Sequence, residues 1–124
     1  MSLADYHFVG TPVEESGTAV DCTRDVNGDG LSDIMVSAYG SDAVATNSGR
    51  IYVFSGAGLT ASGTLSAAQA DYIFEREMEN SQAGEKASFA GDINGDGFND
   101  IMLTVPDRYD GTEKRGGIHI ITSP

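Results

Sequence analysis

Residues 25–36 read Asp25-Val26-Asn27-Gly28-Asp29-Gly30-Leu31-Ser32-Asp33-Ile34-Met35-Val36, and residues 92–103 read Asp92-Ile93-Asn94-Gly95-Asp96-Gly97-Phe98-Asn99-Asp100-Ile101-Met102-Leu103. The second stretch is the first displaced by 67 residues, from position 25 to position 92. The same displacement carries Gly17 onto Gly84, Gly49 onto Gly116, and Ile51-Tyr52-Val53-Phe54 onto Ile118-His119-Ile120-Ile121. Upstream, Tyr6-His7-Phe8 matches Tyr72-Ile73-Phe74 at a displacement of 66. A period of this size marks a repeat architecture in which each unit is one supersecondary element that stacks on its neighbour.

Within each unit the punctuation is that of strands and turns. Ile34–Ala38 and Ile51–Ser55 are short, rich in β-branched and aromatic residues, and bounded by glycine or polar clusters. Thr18–Arg24 precedes them, and Lys86–Gly91, Ile101–Val105 and Ile118–Thr122 repeat the set. Tyr6–Val9 and Tyr72–Arg76 add one strand each. The expectation is eight strands in two four-stranded antiparallel sheets, an all-β chain. Residues 57–70 are rich in Gly, Ser, Thr and Ala and read as a surface linker, with a helical turn near Ser66–Asp71.

The duplicated segment has the form Asp-x-Asn-x-Asp-Gly-x-x-Asp, which sets oxygen donors at loop positions 1, 3, 5 and 9. These are Asp25, Asn27, Asp29 and Asp33 in the first copy and Asp92, Asn94, Asp96 and Asp100 in the second. Position 7, Leu31 or Phe98, can add a backbone carbonyl. Five protein oxygens, with water or a bidentate carboxylate, approach the six to eight ligands that calcium takes. The donors are all hard oxygens, which disfavours zinc and copper, and calcium tolerates irregular geometry better than magnesium. The opening also matches an EF-hand, but that motif needs a glutamate at position 12 between two helices. Position 12 here is Val36 or Leu103, inside an apolar run of strand length. A metal-free hairpin turn is the alternative, since Asn-Gly-Asp-Gly is ordinary turn composition. Six carboxylates crowded at strand ends count against it, because like charges repel unless a cation lies between them.

On these residues both units resemble the FG-GAP repeat, the blade of integrin α-subunit β-propellers and of many bacterial extracellular proteins. Ser16-Gly17-Thr18-Ala19-Val20, the acidic loop, Val36-Ser37-Ala38-Tyr39 and Gly49-Arg50-Ile51-Tyr52-Val53 follow the family order. Ala83-Gly84-Glu85-Lys86-Ala87, the second loop, Leu103-Thr104-Val105-Pro106 and Gly117-Ile118-His119-Ile120 follow it again. The family's Phe-Gly opening is departed from, with Ser16 and Ala83 in the phenylalanine position, and Gly-Ala-Pro is only partly kept. The resemblance implies two propeller blades, each with a structural rather than catalytic calcium ion, giving two calcium sites. It divides the chain into an N-terminal strand (1–10), a first repeat (11–79) and a second (80–124). It also implies an extracellular or cell-surface setting, as an excised piece without a signal peptide, and a role in recognition, adhesion or scaffolding with a protein or glycan ligand.

Composition fits this reading. The chain has 124 residues, 13.0 kDa and a formal charge of −12, which disfavours nucleic acid and anionic membrane surfaces as partners. No apolar run is long enough to span a bilayer. Cys22 is the lone cysteine and is expected to be a small buried residue in a strand, and residues 1–5 lack the basic head of a secretory signal. The two histidines, His7 and His119, fall in separate strand patterns, and no nucleophile elbow or His-Glu-x-x-His is present. A catalytic role is therefore not expected, although a propeller of, or attached to, an extracellular hydrolase is the alternative. Because propellers close with four to eight blades, two blades need further blades or further copies. A third reading is thus a self-assembling, ring-forming building block, in which Tyr6–Val9 completes a blade of the adjacent chain.

Overall fold

A computed structural model describes residues 6–12, 15–43, 45–59, 63–75, 81–106 and 111–122. Among the described residues there are nine strands: β1 (Tyr6–Val9), β2 (Ser16–Asp21), β3 (Ile34–Ala38), β4 (Arg50–Phe54), β5 (Gly63–Ser66), β6 (Tyr72–Glu75), β7 (Ala87–Gly91), β8 (Asp100–Val105) and β9 (Gly117–Ile121). Strands β2-β3-β4-β6 form the first blade and β7-β8-β9 the second, every pairing in them antiparallel.

Three features depart from the sequence expectation. The second sheet has three strands among the described residues rather than four. Residues 57–70 are also more than a linker, because Gly63–Ser66 forms β5 and pairs parallel with β1. That strand was hidden because its Gly-Thr-Leu-Ser sequence has no alternation of its own. Its partner and Leu65, which packs on the first blade, hold it in place. The expected helical turn is present at Ala67–Gln69. Cys22 is exposed rather than buried. It lies one residue past β2, where the Asp21 carboxylate accepts the Thr23 N–H (2.9 Å) and turns the chain outward.

The blades stack face to face. Met35, Ile51 and Val53 from the first meet Phe89, Ile101, Leu103 and Val105 from the second in one buried cluster. The other face of the first blade, with Val36, Ala38, Tyr52 and Phe54, is covered by Phe8 of β1 and Leu65 of β5. The Phe8 ring lies 5.5 Å from that of Tyr52 and 5.6 Å from that of Phe54. Because β3 and β4 are buried on both faces, their runs Ile-Met-Val-Ser-Ala and Arg-Ile-Tyr-Val-Phe are nearly continuous rather than alternating.

Polar contacts set the stacking register. The Ala83 N–H donates to the Ser48 carbonyl (3.2 Å), as does the Ser81 hydroxyl (2.7 Å), and the Gln82 N–H donates to the Asn47 carbonyl (3.0 Å). The Phe89 N–H donates to Asp21 Oδ2 at 2.9 Å, a bond from one blade to the next. Partial burial acts to raise the Asp21 carboxyl pKa, but the Thr23 side chain and the Phe89, Thr23 and Cys22 N–H groups outweigh it, and the result lies below the ordinary 3.8. A lowered carboxylate pKa contributes stability that is present above pH 3.8 and lost as pH falls through the folded-state value. Below pH 3.8 the wild type is therefore expected to lose stability more steeply than Asp21→Asn, as denaturant midpoints at successive pH values would read. Parallel pH profiles would remove Asp21 from the interblade contact.

Candidate metal centre

Each acidic loop joins the first two strands of its blade. The turn demands positive φ at two points, Gly28 (φ 80°) and Gly30 (φ 88°), which glycine adopts without steric cost, and the loop's own side chains hold the rest of its conformation. Asp25 Oδ1 accepts the N–H groups of Asn27 (3.2 Å) and Gly28 (2.7 Å), and its Oδ2 accepts that of Gly30 (2.7 Å). Asn27 Oδ1 accepts the Asp29 N–H (2.9 Å), and Asp29 Oδ1 accepts the Leu31 N–H (2.8 Å). These bonds wrap the chain around its acidic side chains.

Asp33 closes the loop. It is fully buried, with Oδ2 accepting the Val26 N–H at 2.8 Å and Oδ1 the Gly56 N–H at 3.0 Å. Asp25, Asp29 and Asp33 thereby converge, each offering a carboxylate oxygen within 4.8 Å of the others. The Leu31 N–H on Oδ1 is the main cause that holds the Asp29 carboxyl below its usual pKa, so Asp29 is ionised at neutral pH. Asp25 Oδ2, Asp29 Oδ1 and both Asp33 oxygens each accept one N–H bond and retain acceptor capacity, whereas Asp25 Oδ1 already accepts two. The trio is a hard-oxygen donor set of the kind that holds a divalent cation.

Sequence reasoning missed the groups that support this trio. Ser55 donates its hydroxyl to Asp29 Oδ2 (3.0 Å) and accepts from Asn27 Nδ2 (2.9 Å), while Asp71 Oδ2 accepts the Ser55 N–H (2.7 Å). They come from the far end of β4 and the approach to β6. The signal available was antiparallel geometry: a strand paired with Ile34–Ala38 must finish beside the start of that segment, which places Ser55 and Gly56 under the loop.

The second loop repeats the wrapping. Asp92 accepts the N–H groups of Gly95 (2.6 Å), Asp96 (3.0 Å) and Gly97 (2.8 Å), and Asp96 Oδ1 accepts that of Phe98 (2.9 Å). Buried Asp100 accepts the Ile93 N–H at 2.8 Å. Among the described residues only the first loop gathers three carboxylates into a converged trio. In the second, Asn94 Nδ2 donates straight to Asp96 Oδ2 (2.8 Å), whereas in the first Ser55 stands between the corresponding Asn27 and Asp29. The residue corresponding to Ser55 is Thr122, and that corresponding to Gly56 is Ser123, outside the described residues. The two loops also touch: Asn99 Nδ2 donates to the Asp25 carbonyl (2.6 Å), and a Cβ on Gly28 would sit 2.7 Å from the Phe98 ring.

The minor candidates resolve simply. His7 lies on β1 and bonds Thr64 (3.2 Å), His119 lies on β9, and Tyr39 bonds Glu15. Arg115 pairs with Glu113 (3.1 Å), both exposed, and Glu75 pairs with Arg50. Arg108, Tyr109 and residues 76–80 lie outside the described residues.

Face-to-face antiparallel sheets, each with an acidic loop between its first two strands, define this chain as a pair of β-propeller blades, here not closed into a ring. The family profile described as the FG-GAP repeat matches residues 16–54 and 83–121. The chain belongs to the FG-GAP repeat family. It is similar to integrin alpha-4 of Xenopus laevis, 34% identical over 97 residues, which cover 76% of this chain and 8% of that protein. It is also similar to two Drosophila melanogaster proteins. Integrin alpha-PS2 is 32% identical over 103 residues (79% of this chain, 7% of that protein), and integrin alpha-PS5 is 34% identical over 90 residues (67% and 8%). The chain thus spans less than a tenth of the length of these relatives. Within the described residues no helix is long and apolar enough to cross a membrane.

Proposed function

We propose that this chain is a calcium-braced, non-enzymatic propeller module that serves recognition or adhesion, or scaffolds it, at the cell surface or outside the cell. The observation that carries the calcium assignment is the converged trio Asp25, Asp29 and Asp33 at the blade edge. Asn27 and the Leu31 carbonyl complete its ligand set. Asp92, Asn94, Asp96, the Phe98 carbonyl and Asp100 form the second set, and the first loop is the stronger because its carboxylates are already gathered. The ion's role is structural: it offsets the repulsion among the carboxylates and pins the turn between β2 and β3. Similarity to integrin α chains supports recognition of a protein or a glycan, and millimolar extracellular calcium suits loops of modest affinity. Non-enzymatic function accords with the placement of His7 and His119 on separate strands.

The test is thermal unfolding in calcium and in excess chelator. At about a hundredfold excess of calcium over Kd, one site adds about 2.7 kcal/mol, which corresponds to a Tm rise of order 10 °C for a domain of this size. Asp25→Ala combined with Asp29→Ala is expected to abolish most of that rise. A Tm indifferent to calcium would return the loops to plain turns.

A further inference from the structure

The first acidic loop does not stand alone, because the second blade holds it at three points. Val26 is 7% exposed and belongs to the interblade cluster that includes Phe89 and Ile101. The Asp25 carbonyl accepts a hydrogen bond from Asn99 Nδ2 at 2.6 Å. The Phe98 ring lies against Gly28, where an added Cβ would meet it at 2.7 Å. Phe98 and Asn99 belong to the second acidic loop, so two of these contacts run from one loop to the other.

Both contacts bear on the part of the first loop that gathers its carboxylates. A peptide unit is planar, so the Asp25 carbonyl and the Val26 N–H turn together. The carbonyl is fixed by Asn99, and the N–H donates to Asp33 Oδ2 at 2.8 Å. One rigid unit therefore links Asn99 of the second loop to Asp33 of the converged trio. Phe98 braces the next turn of chain at Gly28, whose N–H donates to Asp25 Oδ1 at 2.7 Å. This support acts beside that of Ser55, and it comes from the other blade.

The second loop in turn places the two supporting residues. Asp96 Oδ1 accepts the Phe98 N–H at 2.9 Å, and Asn99 directly precedes Asp100, which is buried and accepts the Ile93 N–H at 2.8 Å. The acidic side chains that shape the second loop thus also aim the groups that hold the first.

We propose that Phe98 and Asn99 are positioning residues for the first acidic loop: they hold the Asp25–Val26 peptide where Asp25 and Asp33 converge, so the order of the second loop sets the cation affinity of the first. The affinity clause rests on the calcium reading above, and the positioning clause does not. Coupling between two sites is reciprocal, so order in the first loop favours the second equally.

Nuclear magnetic resonance of the whole chain tests this with Phe98→Leu/Asn99→Ser, which installs the residue types that the first repeat carries at Leu31 and Ser32. In chelator, hydrogen exchange of the Gly28 and Gly30 amides, which donate to Asp25, is expected to quicken about fivefold. The Gly95 and Gly97 amides on Asp92, and the Phe89 amide on Asp21, are expected to keep their rates. Asn99→Ser alone keeps the ring and should give a smaller change at the same two amides. Calcium titration followed at the Gly28 and Gly30 signals reads the coupling. Asp96→Ala in the second loop should weaken that binding about tenfold in the wild-type background and leave it unchanged in the Phe98→Leu/Asn99→Ser background. A merely structural role would make the two losses additive. Unchanged exchange at Gly28 and Gly30, exchange that quickens equally at Phe89, or an Asp96→Ala loss of equal size in both backgrounds overturns the proposal. Selective loosening of Gly28 and Gly30 in a chain whose signals never respond to calcium would uphold the positioning role and defeat the calcium reading.

Discussion

Gly49→Ala is expected to lower the unfolding free energy by about 3 kcal/mol or more, whereas Gly116→Ala, the corresponding change in the second blade, should stay within about 1 kcal/mol. At Gly49 the backbone has φ 87°, and an added Cβ would fall 2.1 Å from the Ala83 carbonyl oxygen and 2.6 Å from the Ala83 nitrogen. Both atoms are main chain, so neither can swing aside. The hydrogen bond from the Ala83 N–H to the Ser48 carbonyl would have to open, and the blades would separate locally. At Gly116 the nearest atom is the Pro106 carbonyl oxygen at 3.5 Å, an ordinary contact. Urea midpoints for the two variants measure the contrast. Equal, small losses would mean that the blades do not stack as closely as this.

Asp33→Ala is the second large effect, an expected loss of about 3 kcal/mol in chelator, before any ion is involved. The carboxylate has no solvent exposure and accepts two main-chain N–H groups, from Val26 and from Gly56. Deleting it leaves two donors without an acceptor, and a charge-assisted bond is worth about 1.5–3 kcal/mol. Asp29→Ala is the control. Asp29 is exposed and accepts from Leu31 and Ser55, so its loss should leave chelator stability nearly unchanged while removing a cation ligand. Unfolding curves of both variants, with and without calcium, separate structural from ligating roles. An Asp33→Ala protein as stable in chelator as the wild type would show that this carboxylate does not tie the loop to the β4–β6 connection.

The duplicated loop made much of the fold legible. An apolar run of strand length after position 9 excluded helices, and the displacement of 67 fixed two equivalent blades, which the β3–β4 and β8–β9 pairings reproduce. Strand β5 was not legible, because Gly63–Ser66 is held by a strand more than fifty residues earlier and by one leucine rather than by its own pattern. Cys22 was misplaced because a strand's last residue is decided by turn chemistry at Asp21, which alternation does not report. Within the site, the spacing named Asp25, Asp29 and Asp33, but the difference between the loops arises from Ser55, which reaches the site only through folding.

Calorimetric titration of calcium into the chelator-treated chain, beside the Asp25→Ala/Asp29→Ala variant, decides whether the loops are metal-braced. Saturable binding to the wild type, with the first-loop site lost in the variant, is the expected result. No binding, or binding that the variant retains in full, would contradict it: the carboxylates would then hold their turns without an ion.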